Sequence, residues 1–169
     1  SAVGEGKKVV IVDADLRNQS VGEFFADSDE KPGLMEYLEN PEIGITDCLR
    51  DVSGSALKFI SSASTDKRHY HIDRKAFASA LTLSFDYIII DAPPCGVVAD
   101  AGILCGFADA VVYVVKQDYV KKSQITEAVS TLYGKNADIV GCVFNGVHRR
   151  HSRYGYGYGY GYGYGYGKY

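Results

Sequence analysis

The stretch Val9-Val10-Ile11-Val12-Asp13-Ala14-Asp15 constrains the fold of this chain more than any other. Consecutive β-branched residues read as a strand buried on both faces of a parallel sheet, and such sheets present ligand-binding residues at the carboxyl ends of their strands. Asp13 and Asp15 project the same way from an extended backbone, a geometry that suits a divalent cation with hard oxygen ligands. The same residues also make an ordinary Asp-rich turn at a strand end. A second strand, Phe85-Asp86-Tyr87-Ile88-Ile89-Ile90-Asp91, ends in a carboxylate too and runs into Ala92-Pro93-Pro94. Side by side, the two strands would bring Asp13, Asp15 and Asp91 to one edge, a density of charge that calls for a cation. Asp100 is a further candidate at that edge.

Upstream, Gly4-Glu5-Gly6-Lys7 resembles the core of a phosphate-binding loop, in which glycines let backbone N–H groups approach phosphate and lysine adds charge. Such a loop follows one strand and opens a helix, and a parallel crossover needs at least ~10–12 residues. Here only Lys8 separates Lys7 from Val9. Lys7 therefore enters at the amino end of the strand whose carboxyl end carries Asp13, and six residues at ~3.3 Å each hold the two ~20 Å apart.

Further along, Asn18 to Ala26 reads as a short helix with Ser20 as N-cap, and Gly33 to Leu38 as an amphipathic helical turn after a Pro32-Gly33 break. Leu57 to Ser61, Ala108 to Val115 and Ile139 to Asn145 read as strands, and Gln124 to Tyr133 as a helix. Asn145 at a strand end either reads a nucleotide base or caps a turn. Ser61 to Arg74 reads as an exposed loop in which His69 and His71 have no acidic or thiol partner nearby. Alternation of strands and helices predicts an α/β doubly wound, mostly parallel sheet. Its 169 residues fit one domain with a real core, and a formal charge of -3 speaks against non-specific nucleic-acid binding. Cys48, Cys95, Cys105 and Cys142 lie too far apart for a zinc motif or a disulfide framework, so a reduced cytoplasmic chain is expected. No apolar run reaches the ~20 residues of a membrane span, and no signal peptide is expected.

Composition changes abruptly after Val147. His148-Arg149-Arg150-His151-Ser152-Arg153 leads into alternating Tyr-Gly, with tyrosines at Tyr154, Tyr156, Tyr158, Tyr160, Tyr162, Tyr164, Tyr166 and Tyr169. Glycine at every second place removes packing and stiffness, so residues 148–169 are expected to be a disordered tail. As low-complexity sequence it is also capable of β association.

Together, D-A-D-L-R after an apolar strand, I-I-I-D-A-P-P, G-L-x-E-Y-L, the V-F-N strand and a terminal tyrosine cluster resemble the bacterial tyrosine kinases of capsule and exopolysaccharide biosynthesis. That resemblance implies a P-loop NTPase-like kinase domain over residues 1–147, using ATP and Mg2+ to phosphorylate its own tail in trans. It implies that Asp13 and Asp15 are the Walker A-prime pair, Asp91 is the Walker B carboxylate, and all three are catalytic and metal-binding residues. Asp15 would help deprotonate the incoming tyrosine. Gly4, Gly6, Lys7, Arg17 and Asn145 would contact the nucleotide, and the eight tail tyrosines would be phosphoacceptors. A membrane activator of the polysaccharide co-polymerase type, which recruits the kinase to the inner face of the membrane, a cognate tyrosine phosphatase and a ring of identical copies are the implied partners. Where this sequence passes from Lys7 to Lys8, the family carries a Ser or Thr, a whole helix and a loop, and it carries a strand before Gly4. The phosphate loop and its helix are thus deleted around residues 7–8. Two other readings follow from the same residues: a catalytically impaired relative acting as phosphoacceptor and scaffold, and a partition-type ATPase of the same superfamily.

Overall fold

Five residues with almost no polar side-chain surface, Val9–Asp13, form strand β1 at the centre of the fold, with Val10 and Val12 fully buried. The structure, a computed structural model, describes residues 2–16, 18, 20–25, 30–62, 84–95, 100–106 and 108–148. Parallel neighbours flank β1 on both sides: β3 (Lys58–Ile60) on one edge and β4 (Tyr87–Asp91) on the other. A two-residue strand, β2 (Arg50–Asp51), adds antiparallel to β3, giving the order β2-β3-β1-β4. Register aligns Val9 with Tyr87 and Asp13 with Asp91, so the two acidic strand ends are direct neighbours.

Helix α1 (Ser20–Phe24) follows β1, and Phe25 beyond it tilts its ring onto Phe59 of β3 with centroids 4.9 Å apart. Helix α2 (Leu34–Glu39) is docked by its first two N–H groups, which donate to the Ser61 and Ser62 carbonyls at 2.8 and 3.2 Å. Its Glu36 carboxylate turns back to accept the Gly33 N–H, satisfying one of the orphan donors of the helix start. Leu34, Ile45, Cys48, Val10, Val12, Ile60 and Leu104 make the first core, against which Ile88 and Ile90 pack.

Helix α3 (Asp100–Cys105) carries Leu104 into that core and Cys105 into a second one built from Leu132 and Ala137. The second core supports a separate parallel pair, β5 (Val111–Lys116) and β6 (Ile139–Asn145), linked by helix α4 (Lys122–Tyr133) in a right-sized crossover.

The expected α/β architecture with parallel strands is present, and every strand and helix expected among the described residues is found within a few residues of its expected bounds. One difference matters. Among the described residues the strands form one sheet of four and one of two, with no described strand between β4 and β5. Among the described residues no helix is long and apolar enough to cross a membrane.

Candidate functional site

Parallel pairing of β1 with β4 places the Asp13 and Asp91 backbones side by side at the carboxyl edge, and the Ala14 N–H donates to the Asp91 carbonyl at 2.9 Å. Asp13 is fully buried, an expensive position for a carboxylate. Its Oδ1 accepts the Asp15 N–H at 3.2 Å, while its Oδ2 is buried with no hydrogen-bond partner. Burial raises its carboxyl from 3.8 to about 6; the Asp15 N–H opposes that rise, the charges of Asp91 and Asp15 add to it, and the Gly22 N–H of α1 pulls weakly back. Asp91 is raised as well, first by loss of hydration at the sheet edge and then by Asp15, although its side chain remains solvent-accessible. Asp15 is nearly buried, and its Oδ1 accepts the Asn18 N–H at 3.1 Å.

Two strand ends and the turn after β1 thus assemble the expected three carboxylates at one edge. They do not converge on a ready-made ion site: among the described residues no group of three or more His, Cys, Asp or Glu is placed to hold a metal. Two of their oxygens accept backbone N–H groups. Asp13 and Asp91, raised carboxylates with acceptor capacity to spare, fit a hydrated divalent cation, which takes one or two carboxylates and keeps several waters. Such an ion would neutralise charge at this edge.

The glycine stretch lies elsewhere. Residues Val3–Glu5 form a 3-10 turn that ends on Gly6 at φ 75°, a left-handed conformation open to glycine at little cost. The N–H groups of Glu5 and Lys7 donate to the Ala2 carbonyl and that of Gly6 to Val3, so the donors that would cradle phosphate close on their own turn. Lys8 is then fastened to the amino end of β4, its N–H donating to Asp86 Oδ2 at 2.8 Å. Gly6, Lys7 and Lys8 line a cavity of about 260 Å³ with Val9, Ala56, Lys58 and Phe85, at the opposite end of the sheet from Asp13. Gly4, Gly6 and Lys7 are therefore not brought to the carboxylates, and the nucleotide phosphates do not fit the residues present.

Asn145 ends β6, where its Oδ1 accepts the Gly146 N–H at 2.8 Å and caps a turn at φ 68°. That bond is compatible with both readings of Asn145. Arg17, His69, His71, the Asp100 side chain and the whole tail from Tyr154 to Tyr169 lie outside the described residues.

Sequence reasoning missed Arg50. This arginine is 4% exposed, and its guanidinium donates to the carbonyls of Lys31, Pro32 and Cys48, locking the approach to α2. Its only signal in sequence is a charge within a short apolar stretch, which a surface strand would show equally well.

No family model matches the chain. It is similar to "Tyrosine-protein kinase CpsD" of Streptococcus agalactiae, 28% identical over 155 residues that span 89% of this chain and 67% of that protein. "Tyrosine-protein kinase YwqD" of Bacillus subtilis is 31% identical over 171 residues, covering 89% of this chain and 65% of its own length. The chain thus spans about two thirds of the length of these relatives. Among solved structures, the kinase domain of Escherichia coli tyrosine kinase ETK superposes with a TM-score of 0.76 at 24% identity, covering 94% of this chain and 63% of that one. The MinD cell division protein of Aquifex aeolicus shares the fold at a TM-score of 0.66 and 19% identity, covering 86% of this chain and 59% of that one.

Proposed function

The chain is related to the bacterial tyrosine kinases along most of its length, and from that premise we propose that it serves a capsule or exopolysaccharide system as a phosphoacceptor and scaffold, modified by a complete kinase. The observation that carries this reading is the closed glycine turn: the N–H groups of Glu5, Gly6 and Lys7 are used within the turn itself, at the far end of the sheet from Asp13 and Asp91. A domain so built keeps the carboxylate half of a phosphoryl-transfer site and lacks the half that grips phosphate.

The acceptor is the tail. Eight tyrosines from Tyr154 to Tyr169, separated by single glycines except for Gly167-Lys168 before the last, offer hydroxyls to an extended substrate groove. In each transfer a bond forms between the tyrosine Oη and phosphorus, the bond to the departing nucleoside diphosphate breaks, and the phenolic proton passes to a base of the complete kinase. Each phosphate adds roughly -1.5 to -2 charges, so full modification adds on the order of -12 to -16. Arg149, Arg150 and Arg153 supply local counter-charge. A membrane activator of the co-polymerase type at the inner face of the membrane, a tyrosine phosphatase and other copies of the kinase are the partners this role implies.

Autokinase activity is the second reading, favoured by the retained edge of Asp13, Asp15 and Asp91 with two raised carboxyls. Calorimetry with MgATP and mass spectrometry of the tail separate the two. We expect no saturable binding below millimolar MgATP, no self-modification, and phosphate on Tyr154–Tyr169 once a complete kinase of the family is added. Micromolar affinity with self-modification would establish the autokinase, and an unmodified tail beside an active kinase would remove the acceptor role.

A further inference from the structure

We propose that the uncovered sheet face carrying Tyr87 and Ile89 of β4 and Val112 and Val114 of β5 packs against the same face of a second copy of this chain, bringing that copy's Lys7 and Lys8 over the carboxylate edge. The proposal rests on packing and charge alone and does not depend on the phosphoacceptor reading.

Alternation along β4 sends Ile88 and Ile90 into the first core and leaves Tyr87 and Ile89 each 52% exposed. Along β5 it sends Val111 and Tyr113 into the second core and leaves Val112 and Val114 56% and 58% exposed. Helix α3 touches both cores, Leu104 in one and Cys105 in the other, so the inward faces of the two sheets lie on one side. Their bare faces share the other side. Val143, paired with Val114 across to β6, extends the patch.

This face is finished at one end only. Phe59, Ile11 and Ile89 are partners across β3, β1 and β4 and therefore form one row. Phe59 is 1% exposed because Phe25 covers it, whereas nothing among the described residues covers Ile89. Among the described residues no helix lies on this side of β4 and β5, and only Lys8 separates the glycine turn from β1.

Five half-exposed side chains offer roughly 100 Å² each, hence on the order of 1,000 Å² of apolar area across a symmetric pair before any polar rim is counted. Specific interfaces begin at about 1,200 Å² in total, a threshold that a modest rim reaches. A patch of roughly 500 Å² matches the largest apolar patch of an ordinary monomer, which is often functional. A two-fold axis perpendicular to the strands makes the contact self-complementary and closed, and runs the facing strands antiparallel. Each carboxyl edge, with Asp13, Asp15 and Asp91, then meets the partner's amino edge, with the exposed Lys7 and Lys8. Lys7 and Lys8, set beside Glu5 and Asp86, face Asp91 of the partner in this orientation, a pairing that the parallel arrangement lacks.

Sedimentation equilibrium of the full chain from about 1 to 200 µM is the test, and we expect a monomer–dimer equilibrium that weakens with salt. Ile89→Lys and Val114→Lys, at exposed positions on different sheets, should each weaken association at least tenfold while the circular dichroism melt is retained. Zero-length carbodiimide cross-linking should join Lys7 or Lys8 to Asp91, a bond that only two copies can make, since ~20 Å separates the two ends within one copy. A monomer at every concentration overturns the proposal. Association unchanged in both variants also overturns it and assigns self-contact to the tyrosine tail. A dimer without the Lys–Asp91 product refutes the antiparallel arrangement.

Discussion

Replacing Asp13 by Asn should stabilise the chain at neutral pH and do nothing for it in acid. The buried carboxyl of Asp13 stands at about 6 against an ordinary 3.8, chiefly because burial removes its hydration. Below about pH 4 the group is neutral in both folded and unfolded chains, and its burial carries no ionic cost. As pH rises through 6 the folded chain must hold the ionised form, so the stability present in acid is lost across that window. A shift of about two units corresponds to a ceiling of ~3 kcal/mol at 1.36 kcal/mol per unit. Asn keeps the oxygen that receives the Asp15 N–H and removes the buried charge. We therefore expect a gain of ~1–3 kcal/mol at pH 7.5, or about 2–10 °C in Tm for a chain of this size. Thermal and urea melts of both proteins from pH 4 to 8, with and without millimolar Mg2+, measure it. Magnesium should stabilise the Asp13 protein and leave the Asn protein unmoved. A loss of stability at pH 7.5, or an equal gain at pH 4, would refute the argument that the buried charge dominates.

Arg50→Met should cost about 2–4 kcal/mol in urea melts, because it leaves the carbonyls of Lys31, Pro32 and Cys48 without their shared donor; a change under 0.5 kcal/mol would show that water replaces the guanidinium. Thiol labelling in the native state should begin at Cys142, which is exposed, and spare Cys48, whose thiol burial pushes up to about 11; early labelling of Cys48 would mean that α2 opens readily. Asp91→Asn should follow Asp13→Asn in direction with a smaller effect in the same melts, since Asp91 is raised by the same causes but keeps contact with water.

The fold was legible wherever side-chain pattern and burial coincide. Val9 to Val12 and Ile88 to Ile90 read as strands from their β-branched runs, and their carboxylates had to fall at one edge once the strands ran parallel. β2 was not legible, because Arg50 and Asp51 carry no strand pattern and pair only when the chain after Cys48 meets Phe59. Nor was the division of the sheet. Val111 to Val115 reads as a fully buried strand in sequence, yet Val112 and Val114 are more than half exposed, with no described element covering that face. Spacing alone foretold that Lys7 and Asp13 stand at opposite ends. It could not foretell that Glu5, Gly6 and Lys7 would spend their N–H groups within their own turn, which depends on backbone angles around Gly6. The depth of Asp13 was likewise hidden, since it follows from how the segment after Asn18 folds back over β1 and β3.

These particulars decide how the chain can take part in phosphoryl transfer. Bringing Lys7 to Asp13 requires a displacement of ~20 Å along a strand hydrogen-bonded on both sides, which no rotamer change supplies and which would sacrifice the central strand. The phosphoacceptor role proposed above requires no such displacement. Twenty-one residues follow His148, where the described backbone ends, and at ~3.3–3.6 Å per residue they reach about 70 Å when extended. That span exceeds the diameter of a domain of this size by roughly a factor of two. The phosphoacceptor role therefore asks for no rearrangement of the domain, whereas the autokinase reading asks Lys7 to leave the central strand. Shortening the linker 148–153 by four residues should leave modification of Tyr169 by an added kinase unchanged and reduce that of Tyr154, as mass spectrometry of each site would record. Equal loss at every tyrosine would show that the kinase recognises the folded domain rather than the reach of the tail.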